Sequence, residues 1–107
     1  MKNSQARSRE EIKKIIIAKL KPLGVLRIAL FGSFARKEEN SGSDIDILVT
    51  FPPPKHRKPI GMDWFVLDQE LGKLLGLRVD LVTDDSLDRN LRSIIQKDIE
   101  IIYEKTG

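Results

Sequence analysis

The stretch Leu30 to Phe51, LFGSFARKEENSGSDIDILVTF, decides how this chain is read. It begins inside an apolar run, Val25 to Phe31 (VLRIALF), and ends with a second one, Ile45 to Phe51 (IDILVTF). Both runs are short and mostly apolar, which predicts two buried strands. Gly32-Ser33 follows the first strand directly. Ser33 to Arg36 is expected as a single helical turn, and Lys37 to Ser43 (KEENSGS), with Gly42, as a polar loop. Pro52, Pro53 and Pro54 close the second strand, because proline cannot donate to a sheet ladder.

Toward the N-terminus, Ser8 followed by Glu11 has the pattern of a capping box. Ile12, Ile15, Ile16 and Leu20 then recur at helical spacing, predicting a helix over about Arg9 to Lys21. Pro22 and Gly24 stop it. Toward the C-terminus, Phe65, Val66, Leu67, Leu71, Leu74 and Leu75 predict a helix from Met62, weakened at Gly72 and closed by Gly76. Trp64 and Phe65 are expected to pack on the sheet. Val79 to Thr83 (VDLVT) is a third strand, and a short helix is expected within Leu87 to Gln96. Ile99 to Tyr103 reads either as a last strand or as more of that helix. Helices alternating with strands predict an α+β (two-layer α/β) fold, a mixed sheet backed by helices, in a single domain over residues 1–107.

Composition narrows the function classes. The 107 residues carry 19 basic and 16 acidic side chains, a formal charge of +3. That excess does not imply nucleic-acid binding by itself. Cysteine is absent, so neither a disulfide framework nor a thiolate metal site can form, which fits a cytoplasmic protein. Met1 to Arg9 has no apolar core of a secretory signal, and no run approaches the roughly 18–20 apolar residues that cross a bilayer. No membrane association is expected. Walker A and G-x-G-x-x-G sequences are missing, which removes P-loop and dinucleotide-binding readings. Gly72-x-x-x-Gly76 lies in a segment too short and polar for a membrane dimer motif.

Three features carry chemistry. Gly32-Ser33 sits between a strand and a helical turn, where glycine lets a phosphate approach the backbone and free N–H groups attract anions. Asp44 and Asp46 are two apart on a strand, so their carboxylates share one face and repel each other unless a hard cation such as Mg²⁺ lies between them. Asp80 interrupts an apolar strand, with Val79 and Leu81 toward the core and Asp80 on the opposite side with Val82. Each feature also has an ordinary reading: a plain turn for Gly32-Ser33, a solvated strand edge for Asp44-Ile45-Asp46, an edge-strand charge for Asp80. Together they make a stronger case, because two-metal phosphoryl transfer needs bridging carboxylates, a phosphate cradle and an accessible edge. Arg36 and Lys37 lie beside the phosphate site in sequence. Charge neutralisation is one reading, and for Lys37 a solvated surface charge is the favoured one. His56, among Lys55, Arg57 and Lys58, reads as a solvated loop residue.

The pattern G-S-x(10)-D-x-D between two apolar strands resembles the signature of minimal nucleotidyltransferases, relatives of the DNA polymerase beta superfamily. Leu71 to Ser86 (LGKLLGLRVDLVTDDS) resembles that family's helix and third-aspartate strand, so nearly the whole chain is covered. The resemblance implies a nucleotidyltransferase fold in which Asp44, Asp46 and Asp80 bind Mg²⁺ and act in catalysis. It implies that Gly32 and Ser33 hold the triphosphate, with ATP the first candidate; Arg36, close by in sequence, is expected to join them in nucleotide binding. Asp80 would also help to activate the acceptor hydroxyl. One departure is Lys37, where the family usually has glycine. A chain of this length is expected to hold no second domain for an acceptor. The resemblance therefore implies a HEPN-type protein partner and an antitoxin that transfers AMP to its toxin. The competing expectation is a non-catalytic subunit that neutralises such a partner by binding alone. Nucleic-acid binding through Lys55 to Lys58 is the weakest reading, since aromatic interleaving is missing. Homo- and hetero-oligomers both stay open.

Overall fold

The computed structural model describes residues 8–32, 45–53 and 62–105. The expected turn at Ser33 to Arg36, the loops at Lys37 to Ser43 and Lys55 to Pro59, and the residues Asp44, Lys37 and His56 lie outside them. Helix α1 spans Arg9–Leu20 and strand β1 Arg27–Phe31. Strand β2 spans Ile45–Thr50, helix α2 Met62–Leu75 and strand β3 Val79–Thr83. Helix α3 covers Arg89–Gln96 and strand β4 Glu100–Glu104. The sheet order is β3-β2-β1-β4. Strand β1 is antiparallel to both β2 and β4, whereas β2 and β3 are parallel and joined through α2.

Local sequence explains the boundaries. The Ser8 hydroxyl accepts from the Glu11 N–H and the Glu11 carboxylate accepts from the Ser8 N–H, so the expected capping box starts α1. The helix ends one residue earlier than expected, as a 3-10 turn at Lys21–Leu23 with Pro22 inside it. Val25 is buried but outside the ladder: β1 begins at Arg27, not at Val25. At the end of α2, the Gly72 carbonyl accepts from both Gly76 and Leu77. A Cβ on Gly72 would stand 3.0 Å from the Leu77 carbonyl oxygen, so this glycine lets the chain fold back onto its helix. Asp88 caps α3 by accepting from the Leu91 N–H. Lys97 and Asp98 N–H groups close its far end, and the chain then pairs with β1, so the segment after α3 is a strand and not more helix.

The core lies on one side of the sheet. Ile12, Ile16 and Leu20 of α1 and Leu67, Leu71 and Leu75 of α2 pack over Ile28, Leu30, Ile45, Ile47, Val49 and Val79. Both helices bury every fourth residue, as the 3.6 period requires. Two residues expected in that stripe, Val66 and Leu74, are instead 42% exposed. Phe51 meets Trp64 edge-on at 5.4 Å, so Trp64 packs where expected, while the Phe65 side chain lies outside the described atoms. The other side carries a smaller cluster, Ala29, Leu48 and Ile95, joined by Phe31, Val82, Leu87 and Ile99. Among the described residues, no helix is long and apolar enough to cross a membrane.

Candidate nucleotide and metal site

Strand pairing brings two of the expected aspartates together. Phe31 is the antiparallel partner of Asp46, and Asp46 is the parallel partner of Asp80. The three residues therefore form one row across β1, β2 and β3. Paired strands lie about 4.8 Å apart, so the two carboxylates start from neighbouring Cα positions. Side chains alternate along a strand, so Asp46 points the same way as Leu48, and Asp80 the same way as Val82. Leu48 and Val82 pack in the cluster under α3. The aspartates thus occupy the sheet face under α3, one strand period further on. Asp80 is exposed, as expected for the side opposite Val79, and Asp46 is half-buried.

Gly32 adds a close contact. Its φ is +74°, a backbone region that side-chain-bearing residues rarely adopt. A Cβ built there would collide with Asp46 Oδ2 and stand 3.2 Å from Asp46 Cγ. The glycine backbone and the Asp46 carboxylate are therefore packed against each other, and hydrogen is the only side chain that fits. Two like charges placed side by side in register are mutually unfavourable. A hard divalent cation takes oxygen ligands and relieves that repulsion, so this donor set suits one. Among the described residues, no third His, Cys, Asp or Glu joins the two in a cluster. Asp44, Ser33 and Arg36, the other expected site residues, lie outside the described residues.

Two aspects escaped the sequence reading. One is the register that sets Asp46 beside Asp80. Its signal was available: a strand–helix–strand order predicts parallel neighbours. The other is the contact between Gly32 and Asp46, which assigns the glycine a packing role as well as the phosphate role expected of it. A depression of about 450 Å³ lies elsewhere, in the helical layer, lined by Ala18, Lys19, Pro22, Leu23, Leu67 and Glu70. Neither aspartate nor Gly32 reaches it. Among the described residues, the site is a row across one sheet face.

Residues 9–105 match the nucleotidyltransferase domain family. The chain is 39% identical over 98 residues to the protein adenylyltransferase MntA of Thermococcus cleftensis, covering 88% of this chain and 93% of that one. It is similar in structure to a chain in a crystal structure of a toxin–antitoxin with AMP-PNP. There the TM-score is 0.73 at 25% identity, over 88% of this chain and 74% of the other. A further likeness, to a chain in the complex of the tri-AMPylated Shewanella oneidensis HEPN toxin with its MNT antitoxin, has a TM-score of 0.70 at 23% identity. It covers 92% of this chain and 74% of that one, and speaks to the fold alone.

Proposed function

Because this chain belongs to the nucleotidyltransferase domain family, we propose that it transfers AMP from ATP to a hydroxyl of a HEPN-type protein partner. It would do so as a single-domain antitoxin in the cytoplasm. The observation that carries the proposal is the row of Asp46 and Asp80 in parallel register, with Gly32 pressed against Asp46. The Thermococcus cleftensis relative, named for protein adenylyl transfer and matched over nearly its whole length, supports the choice of reaction.

In this reading Asp44, Asp46 and Asp80 hold Mg²⁺, and Gly32, Ser33 and Arg36 hold the triphosphate. Bound Mg²⁺ would supply charge neutralisation and Lewis-acid polarisation of the phosphates. The chain's own residues do the remaining work. The Gly32 turn lets phosphate oxygens approach backbone N–H groups, and Ser33 adds a hydroxyl donor. Asp80, exposed on the edge strand β3, is open to an incoming hydroxyl and accepts its proton. The acceptor oxygen bonds to the α-phosphorus as the bond to the β-phosphate oxygen breaks, and pyrophosphate leaves. Among the described residues, Asp46 and Asp80 stand on a sheet face with Asp80 exposed, which favours an acceptor presented by another macromolecule.

Calorimetry with ATP, with and without MgCl₂, tests the site. Wild type should bind in a metal-dependent way and Asp46→Ala should not. Equal, metal-independent binding by both proteins would remove the proposed site.

A further inference from the structure

We propose that the depression between α1 and α2 is half of a two-fold interface whose occupant is a second copy of this chain, with Lys19 of each copy set against Glu70 of the other. The proposal stands independently of the reaction proposed above.

Two helices supply the walls. Ala18 and Lys19 of α1, Pro22 and Leu23 of the turn after it, and Leu67 and Glu70 of α2 line the depression of about 450 Å³. Leu67 is buried and belongs to the core beneath. Val66 and Leu74 stand one turn to either side of Glu70, so they share its stripe along α2. Leu23, Val66 and Leu74 are 38%, 42% and 42% exposed. Isolated exposed apolar residues are ordinary, but several around one concavity mark a contact surface.

Charge says what covers it. The lining carries one cation, Lys19, and one anion, Glu70, on opposite walls. Among the described residues, neither side chain has an ion-pair or hydrogen-bond partner, although both line the same depression. The other charges on these two helices near it are engaged or stand off the lining. Glu11 closes the capping box, Lys21 lies over the Tyr103 ring at 5.7 Å, and Asp68 accepts from the Gln69 N–H. Lys14 and Lys73 are exposed outside the lining, where solvent screens a charge and its pairings count for little. A wholly acidic partner would match the Lys19 wall and repel the Glu70 wall, and a wholly basic one would do the reverse. A second copy related by a two-fold axis matches both, because residue i meets residue j and residue j meets residue i. One such contact forms two Lys19–Glu70 pairs and covers the exposed apolar residues of both copies.

Position is compatible with this use. Helices α1 and α2 cover the sheet face opposite the one that carries Asp46 and Asp80. A dimer joined through the helical layer leaves both aspartate rows free.

Sedimentation equilibrium on the full chain is the test, with wild type, Lys19→Glu, Glu70→Lys and an equimolar mixture of the two variants. Wild type should show a concentration-dependent monomer–dimer equilibrium. Either variant alone sets like charges against each other twice, and should weaken the dimer about tenfold or more while its unfolding midpoint as a monomer stays unchanged. In the mixture, each heterodimer pairs the two unaltered residues with each other and the two substituted residues with each other. It should therefore form about as tightly as the wild-type dimer. A pair made within one chain cannot be restored by mixing, so a mixture that stays dissociated would overturn the proposal. So would a wild type that remains monomeric at the highest attainable concentration, or single variants that dimerise like wild type. A monomeric wild type whose complex with a HEPN-type protein is lost in Glu70→Lys would give the depression to that protein and overturn the proposal as well.

Discussion

On one face of the sheet, Ile28, Leu30, Ile45, Ile47 and Val49 are at most 1% exposed and are sealed by two helices. On the other, the same strands offer Ala29 and Leu48 to one eight-residue helix, and the row beside them carries Asp46 and Asp80. The first face supplies most of the burial that opposes chain entropy. The second gives up some of that burial and keeps acidic groups fixed on strands, the most rigid support a small domain has. On the proposed function, stability and chemistry are separated by the thickness of a sheet, and substitutions on the two faces should separate in the same way.

The largest effect should come from the sealed face. Leu71 is fully buried, and Leu71→Ala should lower unfolding free energy by about 2–5 kcal/mol. Urea denaturation measures it. A cost below about 1 kcal/mol would mean that α2 is not the cover its burial indicates. Gly32→Ala sits at the boundary between the two roles. The positive φ alone should cost about 1–2 kcal/mol. Displacement of the Asp46 carboxylate should also weaken Mg²⁺–ATP binding. Full affinity in this variant would show that the glycine is there for the turn only.

On the open face the sign should reverse. Asp80→Asn removes one of two adjacent like charges, so the metal-free protein should gain up to about 1 kcal/mol while losing activity. Thermal unfolding with and without MgCl₂ tests this: Mg²⁺ should stabilise wild type, and that stabilisation should shrink in the variant. A loss of stability in Asp80→Asn would make the aspartate a structural residue and blur the division between faces.

The smallest effect concerns the tie between α1 and β4. Lys13 donates to Glu100 at 2.6 Å, and that hydrogen bond, opposed by partial desolvation and helped by the Glu100 charge, raises the ammonium pKa above its ordinary 10.5. A raised pKa means that the stabilisation is fully present below 10.5 and is lost as pH climbs through the folded-state value. The contribution of such a partly exposed pair is at most about 1 kcal/mol. Wild type should therefore be more stable than Glu100→Gln below pH 10.5, and the difference should fade above it. A difference that persists at the higher pH would assign the effect to Arg9, 3.5 Å from the same carboxylate, and not to Lys13.

Much of the fold was legible because local rules and burial agree. Strand β3 has the bounds expected from VDLVT, and the capping box at Ser8 and Glu11 starts α1 as expected. Where the sequence reading drifted, a non-local partner made the difference. Val25 is as apolar as a strand residue, yet the ladder with Thr50 and Glu104 begins at Arg27. Ile99 to Tyr103 was ambiguous because a short apolar run suits either structure, and pairing with β1 decided it. Val66 and Leu74 fit a helical stripe wider than the one the sheet covers. For the site, Gly32, Asp46 and Asp80 were recognisable as residue types, while their assembly came from the family resemblance alone. Adjacency of Asp46 and Asp80 is a property of register, and the contact of Gly32 with Asp46 arises between different strands.

The most direct test of the central claim, that the open face transfers a nucleotide to a protein, is an intact-mass measurement on the HEPN-type partner. The partner is incubated with ATP, Mg²⁺ and either wild type or Asp46→Ala. One or more AMP additions with wild type, and none with a folded Asp46→Ala that still binds the partner, is the predicted result. A partner that gains no mass with wild type, yet is inhibited equally by both proteins, would contradict the account and leave binding alone as the function.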